Sequence, residues 1–146
     1  MSNHTFRSAA ESDRDWVGET KKLCLGGYVK QTFGEWDENA QNTRFCASFD
    51  AQEVQIIRLS NQDVGYIAVD RSEHEIRLFN IMILPGFQNH RLGTAVMEGL
   101  LGEAREKQIP LRLQVLKVNP ARRLYERLGF AVIGETDTHY QMRWAP

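Results

Sequence analysis

The chain has 146 residues, of which 42% are hydrophobic and 25% charged, and its net charge is −1. These totals are typical of one globular domain and argue against a nucleic-acid-binding protein, which usually carries a basic excess. No apolar run could span a bilayer and residues 1–7 lack a signal-peptide pattern, so we expect a cytoplasmic protein with no membrane partner. Cys24 and Cys46 fit no metal or disulfide spacing, which favours two reduced, packed thiols and no bound metal.

The first part of the chain predicts a short strand followed by two helices. The strand covers residues 5–7, and Ser12 is the predicted N-cap of a helix that Gly26-Gly27 ends. A second helix is predicted over residues 38–48.

An antiparallel meander follows, with predicted strands over residues 54–59, 64–69 and 76–84. On the third strand, Asn80 falls on a face that is otherwise apolar, so it is either a structural hydrogen-bonding group or a ligand contact. The apolar residues predicted to share that face are Ile76, Leu78, Met82 and Leu84.

The second half alternates helices with strands. A helix begins at Leu92, and a strand over residues 111–115 completes a parallel strand–helix–strand unit. A second helix is predicted between the N-cap Asn119 and the C-terminal glycine Gly129. Two closing strands over residues 130–133 and 139–144 give the order β-α-α-β-β-β-α-β-α-β-β.

Charge is unevenly distributed between the two halves of the chain. Residues 1–73 hold 8 basic and 12 acidic residues, whereas residues 74–146 hold 10 and 7. This is either chance scatter over a solvated surface, or the second half holds an anionic ligand and the first half approaches a cationic one.

The segment 88–95 connects the third strand of the meander to the next helix. The first N–H groups of a helix have no partner within it, and the helix dipole adds partial positive charge there. A strand, a short turn and a helix N-terminus therefore favour a site for a phosphate or pyrophosphate group.

A second segment, Asn-Pro-Ala-Arg-Arg-Leu-Tyr-Glu-Arg-Leu-Gly-Phe at residues 119–130, accompanies this loop. With both segments the chain resembles the GNAT superfamily of acetyl-CoA-dependent N-acetyltransferases. The resemblance implies an α/β (α+β) fold with a mixed, mostly antiparallel seven-stranded sheet, about four flanking helices and one parallel, splayed strand pair. It also implies a single acetyltransferase domain over residues 1–146.

The family's phosphate loop follows the pattern Gln/Arg-x-x-Gly-x-Gly/Ala. Gln88 and Gly93 fill its ends, but Arg91 stands where the family usually has glycine. A right-handed helical backbone at Arg91 would tolerate the side chain, whereas a conformation open only to glycine would weaken binding of coenzyme A. The residues that the resemblance implies for cofactor binding are Ile81, Met82, Ile83, Gln88, Asn89, His90, Arg91, Leu92, Gly93, Thr94, Asn119 and Arg122.

The catalytic residues implied by the resemblance are a general acid and a less certain base. Tyr125 matches the family's tyrosine, and a phenol can protonate the departing thiolate of coenzyme A. Glu75, at the start of the central strand, is the nearest acidic candidate for the base. Arg77 stands where some members carry a glutamate, which weakens a direct carry-over. The alternatives are that Glu75 is a solvated strand-end residue and that the proton leaves through water. No serine, cysteine or histidine constellation indicates a covalent intermediate.

The acceptor is expected to be a primary amine, either a small molecule or a peptide. Aromatic and acidic residues after the first helix could hold an ammonium group, and the substrate-binding candidates are Tyr28, Glu35 and Trp36. The expected reaction is direct transfer of acetyl from acetyl-CoA in a ternary complex. The alternative is a non-catalytic acyl-CoA-binding sensor or interaction module; a homodimer through the last strands is possible in either case.

Overall fold

The protein is built around one mixed β-sheet. The computed structural model describes residues 3–35 and 37–146, with the backbone alone at residues 89 and 90. The strands and helices of these residues are, in chain order, β1 (Thr5–Ser8), α1 (Arg14–Phe33), α2 (Glu38–Ser48), β2 (Val54–Leu59), β3 (Gln62–Arg71), β4 (Ile76–Ile83), α3 (Leu92–Lys107), β5 (Leu111–Leu116), α4 (Ala121–Arg127), β6 (Ala131–Glu135) and β7 (His139–Trp144).

Within the described residues the sheet has seven strands in the order β1-β2-β3-β4-β5-β7-β6. Every neighbouring pair is antiparallel except β4 and β5, which are parallel and connected through α3. The predicted fold class and order of strands and helices are therefore confirmed. The predicted bounds of α2, β2 and β7 match the structure, and Gly129 closes α4 with a φ of +102°.

Two apolar cores lie on opposite faces of the sheet. The larger core packs α3 and α4 against the sheet, and it includes Val96, Leu100 and Tyr125. The smaller core packs α1 on the other face, with Val17 against strand residues that include Tyr66. The sheet thus separates the helix pair α3–α4 from the helix pair α1–α2.

Helix α1 is longer than predicted. It continues through Gly26-Gly27 to Phe33 and ends at Gly34, whose φ is +92°. A glycine inside a helix costs about 1 kcal/mol relative to alanine but keeps its backbone hydrogen bonds, so the glycine pair lowers helix propensity without ending the helix. The prediction that this pair stops the helix is wrong, and the extra turns extend α1 toward α2.

The predicted N-cap of α1 is also wrong. Ser12 lies inside a short 3₁₀ turn, Glu11–Asp13, and Asp13 occupies the N-cap position of α1 without a side-chain hydrogen bond to that helix. The Asp13 carboxylate instead accepts from the Ala10 N–H at 2.8 Å, at the start of the 3₁₀ turn. The guanidinium of Arg7 also binds Asp13, at 2.9 Å, and holds the pKa of that carboxyl below its usual value. The spacing of residues in the sequence did not predict the contact between Arg7 and Asp13, because Arg7 reaches Asp13 from strand β1.

A β-bulge interrupts β4 at Phe79. Asn80 pairs with Ala68 and Leu78 pairs with Val69, so Phe79 has no partner on β3. A bulge bends its strand and increases the local twist.

The bulge reverses the alternation of side chains along β4. Ile76 and Leu78 join the core beneath α3, whereas Met82 joins the core beneath α1. The prediction that Ile76, Leu78, Met82 and Leu84 share one face is therefore wrong. Asn80 lies on the same face as Met82, two residues before it.

The two cysteines differ in exposure. Both are free thiols, but Cys24 is half-buried and Cys46 is exposed on α2, so the prediction of two packed thiols is wrong for Cys46. Among the described residues, none of the helices has the length and apolar character needed to cross a membrane.

Candidate active site

Strands β4 and β5 separate in the middle of the sheet. Their parallel pairing covers only Ile76–Leu78 against Leu111–Leu113. Beyond Leu78, β4 pairs only with β3 and β5 pairs only with β7. The bulge at Phe79 follows the last paired residue directly and bends β4 away. The facing edges of residues 80–83 and 114–116 are therefore open to a ligand.

A cavity of about 740 Å³ occupies this gap. Its lining comes from both faces of the sheet, so it connects the α3–α4 side to the α1–α2 side. The lining residues on the α3–α4 side and in the gap include Leu78, Ile81, Leu113, Val115, Asn119 and Tyr125. Those on the α1–α2 side include Lys21, Leu25, Val29, Phe33, Glu35 and Arg44.

Tyr125 stands at the α4 wall of the cavity. Its side chain is 7% exposed and its ring lies 5.9 Å from that of Phe130, centroid to centroid. Burial raises the pKa of the Tyr125 phenol to about 12, because the charged phenolate is poorly solvated there. The hydroxyl consequently stays protonated at neutral pH, as a proton donor requires.

On the α1–α2 face of the sheet, the part next to the β4–β5 gap is polar and forms the floor of the cavity, beside the apolar core beneath α1. Gln114 on β5 is paired with Gln141 on β7, and His139 and Asn80 lie on the same floor. Sequence reasoning missed Gln114, His139 and Gln141 as site residues. The sequence feature that could have indicated these residues is their strict alternation with buried residues such as Met142. Any strand with one face in water shows the same alternation, so it does not identify a site.

His139 is the imidazole of this floor. Its Nδ1 lies 2.8 Å from the Thr138 hydroxyl, and burial lowers its pKa. At neutral pH the ring is therefore mainly uncharged and able to accept a proton. Within the described part of the chain, no group of three or more His, Cys, Asp or Glu side chains could hold a metal ion.

Glu75, the predicted base, lies at the start of β4 and outside the lining of the cavity. Its carboxylate forms an ion pair with Arg112 at 3.4 Å, and Arg112 itself lines the cavity. Glu75 thus contacts the site through Arg112, and its catalytic role stays a prediction.

The loop between β4 and α3 is a short 3₁₀ segment, Pro85–His90, tied to the end of β4. The side-chain amide of Gln88 donates to the Ile83 carbonyl at 2.8 Å, and the Cys24 thiol donates to the same oxygen at 3.1 Å. Gln88 therefore positions the loop, and α1 is anchored to the same point through Cys24.

Arg91 precedes α3 with a left-handed backbone, φ +57° and ψ +17°. This is neither of the two conformations that the sequence left open. It is not right-handed helix, and it is a region that residues other than glycine can adopt at some cost. Arg91 is exposed, so its side chain is free of steric conflict with the core.

We expect the Arg91→Gly variant to be more stable than the natural chain by about 0.5–1 kcal/mol, because glycine has no Cβ to strain in this conformation. Urea denaturation measures the difference. The Arg91→Ala variant is the matched control, since it removes the same charge and keeps a Cβ. Equal stability of the two variants would contradict the strain argument.

Gly93 lies in the first turn of α3. Among the described atoms, a Cβ built on it would meet only the Ile83 Cδ1 atom, at 3.4 Å, which is an ordinary contact. The protein's own packing therefore does not require glycine here, and the open space at this helix N-terminus suits the close approach of a ligand.

Asn119 and Arg122 are both engaged with their own helix. The helix begins at Ala121 with Pro120 at the N-cap position, one residue later than predicted. The Asn119 Oδ1 still accepts from the Ala121 N–H at 2.9 Å, as a capping side chain does, and Asn119 also lines the cavity. Arg122 lies 2.7 Å from the Glu126 carboxylate and stacks over the Tyr140 ring at 4.1 Å. A cofactor contact by Arg122 stays a prediction and would have to share these partners.

Two of the predicted substrate residues can be placed, and they lie in different positions. Glu35 lines the cavity, whereas Tyr28 lies on α1 outside the lining, where its backbone carbonyl accepts from Thr32. Trp36 is outside the residues that the structure describes.

Comparison with known proteins defines the family. A family model described as an acetyltransferase (GNAT) domain matches residues 45–132, which include β4, the loop, α3, β5 and Tyr125. The chain therefore belongs to the GNAT acetyltransferase family, and the resemblance inferred from its two sequence segments is confirmed.

Three relatives illustrate the range of similarity. The [ribosomal protein bS18]-alanine N-acetyltransferase of Haemophilus influenzae is 34% identical over 82 residues, and the match spans 56% of each chain, somewhat over half the relative's length. The PaiA N-acetyltransferase of Thermoplasma acidophilum, solved with coenzyme A, covers both chains completely at 15% identity and a TM-score of 0.74. The ribosomal-protein-S18-alanine N-acetyltransferase of Escherichia coli covers 97% of this chain and 93% of its own, at 21% identity and a TM-score of 0.69. The two structural likenesses concern the fold.

Proposed function

We propose that the protein is an N-acetyltransferase that moves acetyl from acetyl-CoA to a primary amine by direct attack in a ternary complex. The observation that carries this proposal is the cavity through the β4–β5 gap, with Tyr125 on one side of the sheet and a polar pocket on the other. Two ligands approaching from opposite faces could meet there without a covalent enzyme intermediate.

Acetyl-CoA fits the α3–α4 side of this gap. The phosphates would bind at the N-terminus of α3, with the backbone of residues 91–94 and the open space beside Gly93. The free edge of Ile81–Ile83 would pair with the extended pantetheine arm as an added strand does. Asn119 at the cavity wall would complete this binding surface.

Two side chains would move the protons of the reaction. An ammonium must lose a proton before its nitrogen can attack the thioester, and we assign His139 as the acceptor because its ring is uncharged and lines the polar pocket. The protonated Tyr125 hydroxyl would donate a proton to the departing sulfur. Glu35, in the same lining, is the carboxylate placed to attract the ammonium.

Calorimetric titration with acetyl-CoA, followed by an amine-acceptor screen, tests the proposal. We expect saturable binding by the natural chain and binding about tenfold weaker by Gly93→Ala, since the added methyl group occupies the space for the phosphates. The Gly99→Ala variant is the control, because a Cβ there meets none of the atoms that the structure describes within 4 Å. Absence of binding by the natural chain would overturn the proposal, and binding without turnover on any amine would favour the non-catalytic sensor.

Three further expectations stay predictions: a cytoplasmic location, one domain over residues 1–146, and a homodimer through the last strands. Strand β6 lies at the edge of the sheet and exposes Val132 and Ile133, which supports the third. Light scattering of the purified chain tests the homodimer, and a monomeric mass would exclude it.

A further inference from the structure

The acceptor side of the cavity contains two cations that have no anionic partner. Lys21 of α1 and Arg44 of α2 both line the main cavity and an adjoining cavity of about 270 Å³ between the two helices. Within the described residues, neither side chain forms an ion pair. Burial, and then the charge of Arg44, lower the pKa of Lys21.

The carboxylates near these two cations either bind other groups or are exposed. Glu38 is bound by Lys22 at 2.6 Å, and Asp37 accepts a hydrogen bond from the Ala40 N–H as the cap of α2. Glu35 lines the main cavity and Glu19 lines the adjoining one, and both residues are exposed. Within the described residues, no carboxylate of either helix forms an ion pair with Lys21 or Arg44.

The polar floor adds positive charge below them. Arg77 lies on the floor with its guanidinium 5.7 Å from the centroid of the Phe79 ring, and it too lacks an ion pair in the described part of the chain. Arg112 is partly compensated by Glu75 at 3.4 Å. The net charge of each half of the chain therefore does not predict the charge of this pocket, because the acidic first half contributes Lys21 and Arg44 to it.

We propose that the amine acceptor is a small molecule that also carries a carboxylate or phosphate group, which Lys21 and Arg44 bind. Lys21 is half-buried and Arg44 is exposed, and their like charges repel each other. An anion between them relieves this repulsion and forms charge-assisted hydrogen bonds with both. The amine of the same molecule would extend toward Asn80 and the gap. This inference rests on the proposed acetyltransferase function and specifies its substrate class.

Matched probes that differ in one charge test this inference. β-Alanine is compared with β-alaninamide, and phosphoethanolamine with ethanolamine, so that the two arms separate carboxylate from phosphate. Binding is measured by calorimetry with and without coenzyme A, and acetylation is measured separately. The variants are Lys21→Met and Arg44→Met; the control is Lys30→Met, which removes a charge from the exposed side of α1.

We expect the natural chain to bind at least one anionic probe about tenfold or more tightly than its uncharged partner. Lys21→Met and Arg44→Met should each remove most of that preference, and Lys30→Met should keep it. Equal binding within both pairs, no binding of either anionic probe, or a preference that survives Lys21→Met would overturn the inference. Equal acetylation of the anionic probes and their uncharged partners would overturn this inference and leave the proposed acetyltransferase function intact. Failure of the natural chain to bind acetyl-CoA would overturn the proposed function itself.

Discussion

Replacing Tyr125 with phenylalanine should lower kcat about 100-fold or more and leave the dissociation constant of acetyl-CoA within about twofold. The variant removes one oxygen from a ring that stays packed beside Phe130. No described hydrogen bond uses the Tyr125 hydroxyl, so its loss leaves no buried partner unsatisfied and the fold should be unaffected. The measurement pairs steady-state kinetics with calorimetric titration.

The pH dependence separates a proton donor from a packing role. Burial raises the pKa of Tyr125 from 10 to about 12, so the hydroxyl is protonated throughout neutral and mildly alkaline solution. The loss in Tyr125→Phe should therefore be the same from about pH 7 to pH 9. An unchanged kcat would refute the general-acid role. Large losses of both kcat and acetyl-CoA affinity would indicate a packing role.

His139→Gln is the complementary variant. Because burial lowers the pKa of His139, the natural enzyme should lose rate only as the pH falls below the ordinary histidine pKa of 6.5. The variant should be slow at neutral pH and lack that acidic limb. Retention of the limb in His139→Gln would assign the base elsewhere, with Glu75 acting through water as the next candidate.

The helices and strands were predictable because their signals are local. Helix α2 begins after the capping residue Asp37 and ends at Ser48, as its pattern indicated. The bulge at Phe79 was not predictable, since it depends on how β4 pairs with β3 and no residue type marks it. The continuation of α1 through Gly26-Gly27 depends on packing rather than propensity.

The residues of the candidate site also fall into two groups: those with a local signal in the sequence and those brought together only by the fold. Tyr125 and the loop around Gly93 could be predicted as candidates because they belong to contiguous segments. His139 was missed because a polar residue that alternates with buried ones indicates solvent until a helix is known to cover it. Lys21 and Arg44 meet only through the packing of α1 beside α2, which no spacing in the chain reveals.

Replacing Gly65 with alanine should destabilise the protein by about 3 kcal/mol and lower its melting temperature by roughly 6–12 °C. A Cβ on Gly65 would lie 2.2 Å from the Met82 carbonyl oxygen and 3.1 Å from the Ile83 Cα. Both obstacles are backbone atoms of β4, so no side-chain rotation relieves the clash and the two strands must move apart.

The displacement should also weaken acetyl-CoA binding, because Ile83 is the point to which the loop and α1 are tied. Its carbonyl accepts from Gln88 and Cys24, and Gly65 pairs with Ile83 across the sheet. Thermal denaturation and calorimetry measure the two effects. Gly27→Ala is the control, since a Cβ there meets no described atom within 4 Å and the variant should gain about 0.5–1 kcal/mol of stability. If Gly65→Ala folds too poorly to titrate, the Gly65→Ser variant should fail likewise, whereas a stable, fully binding Gly65→Ala would show that β3 and β4 are not held this closely.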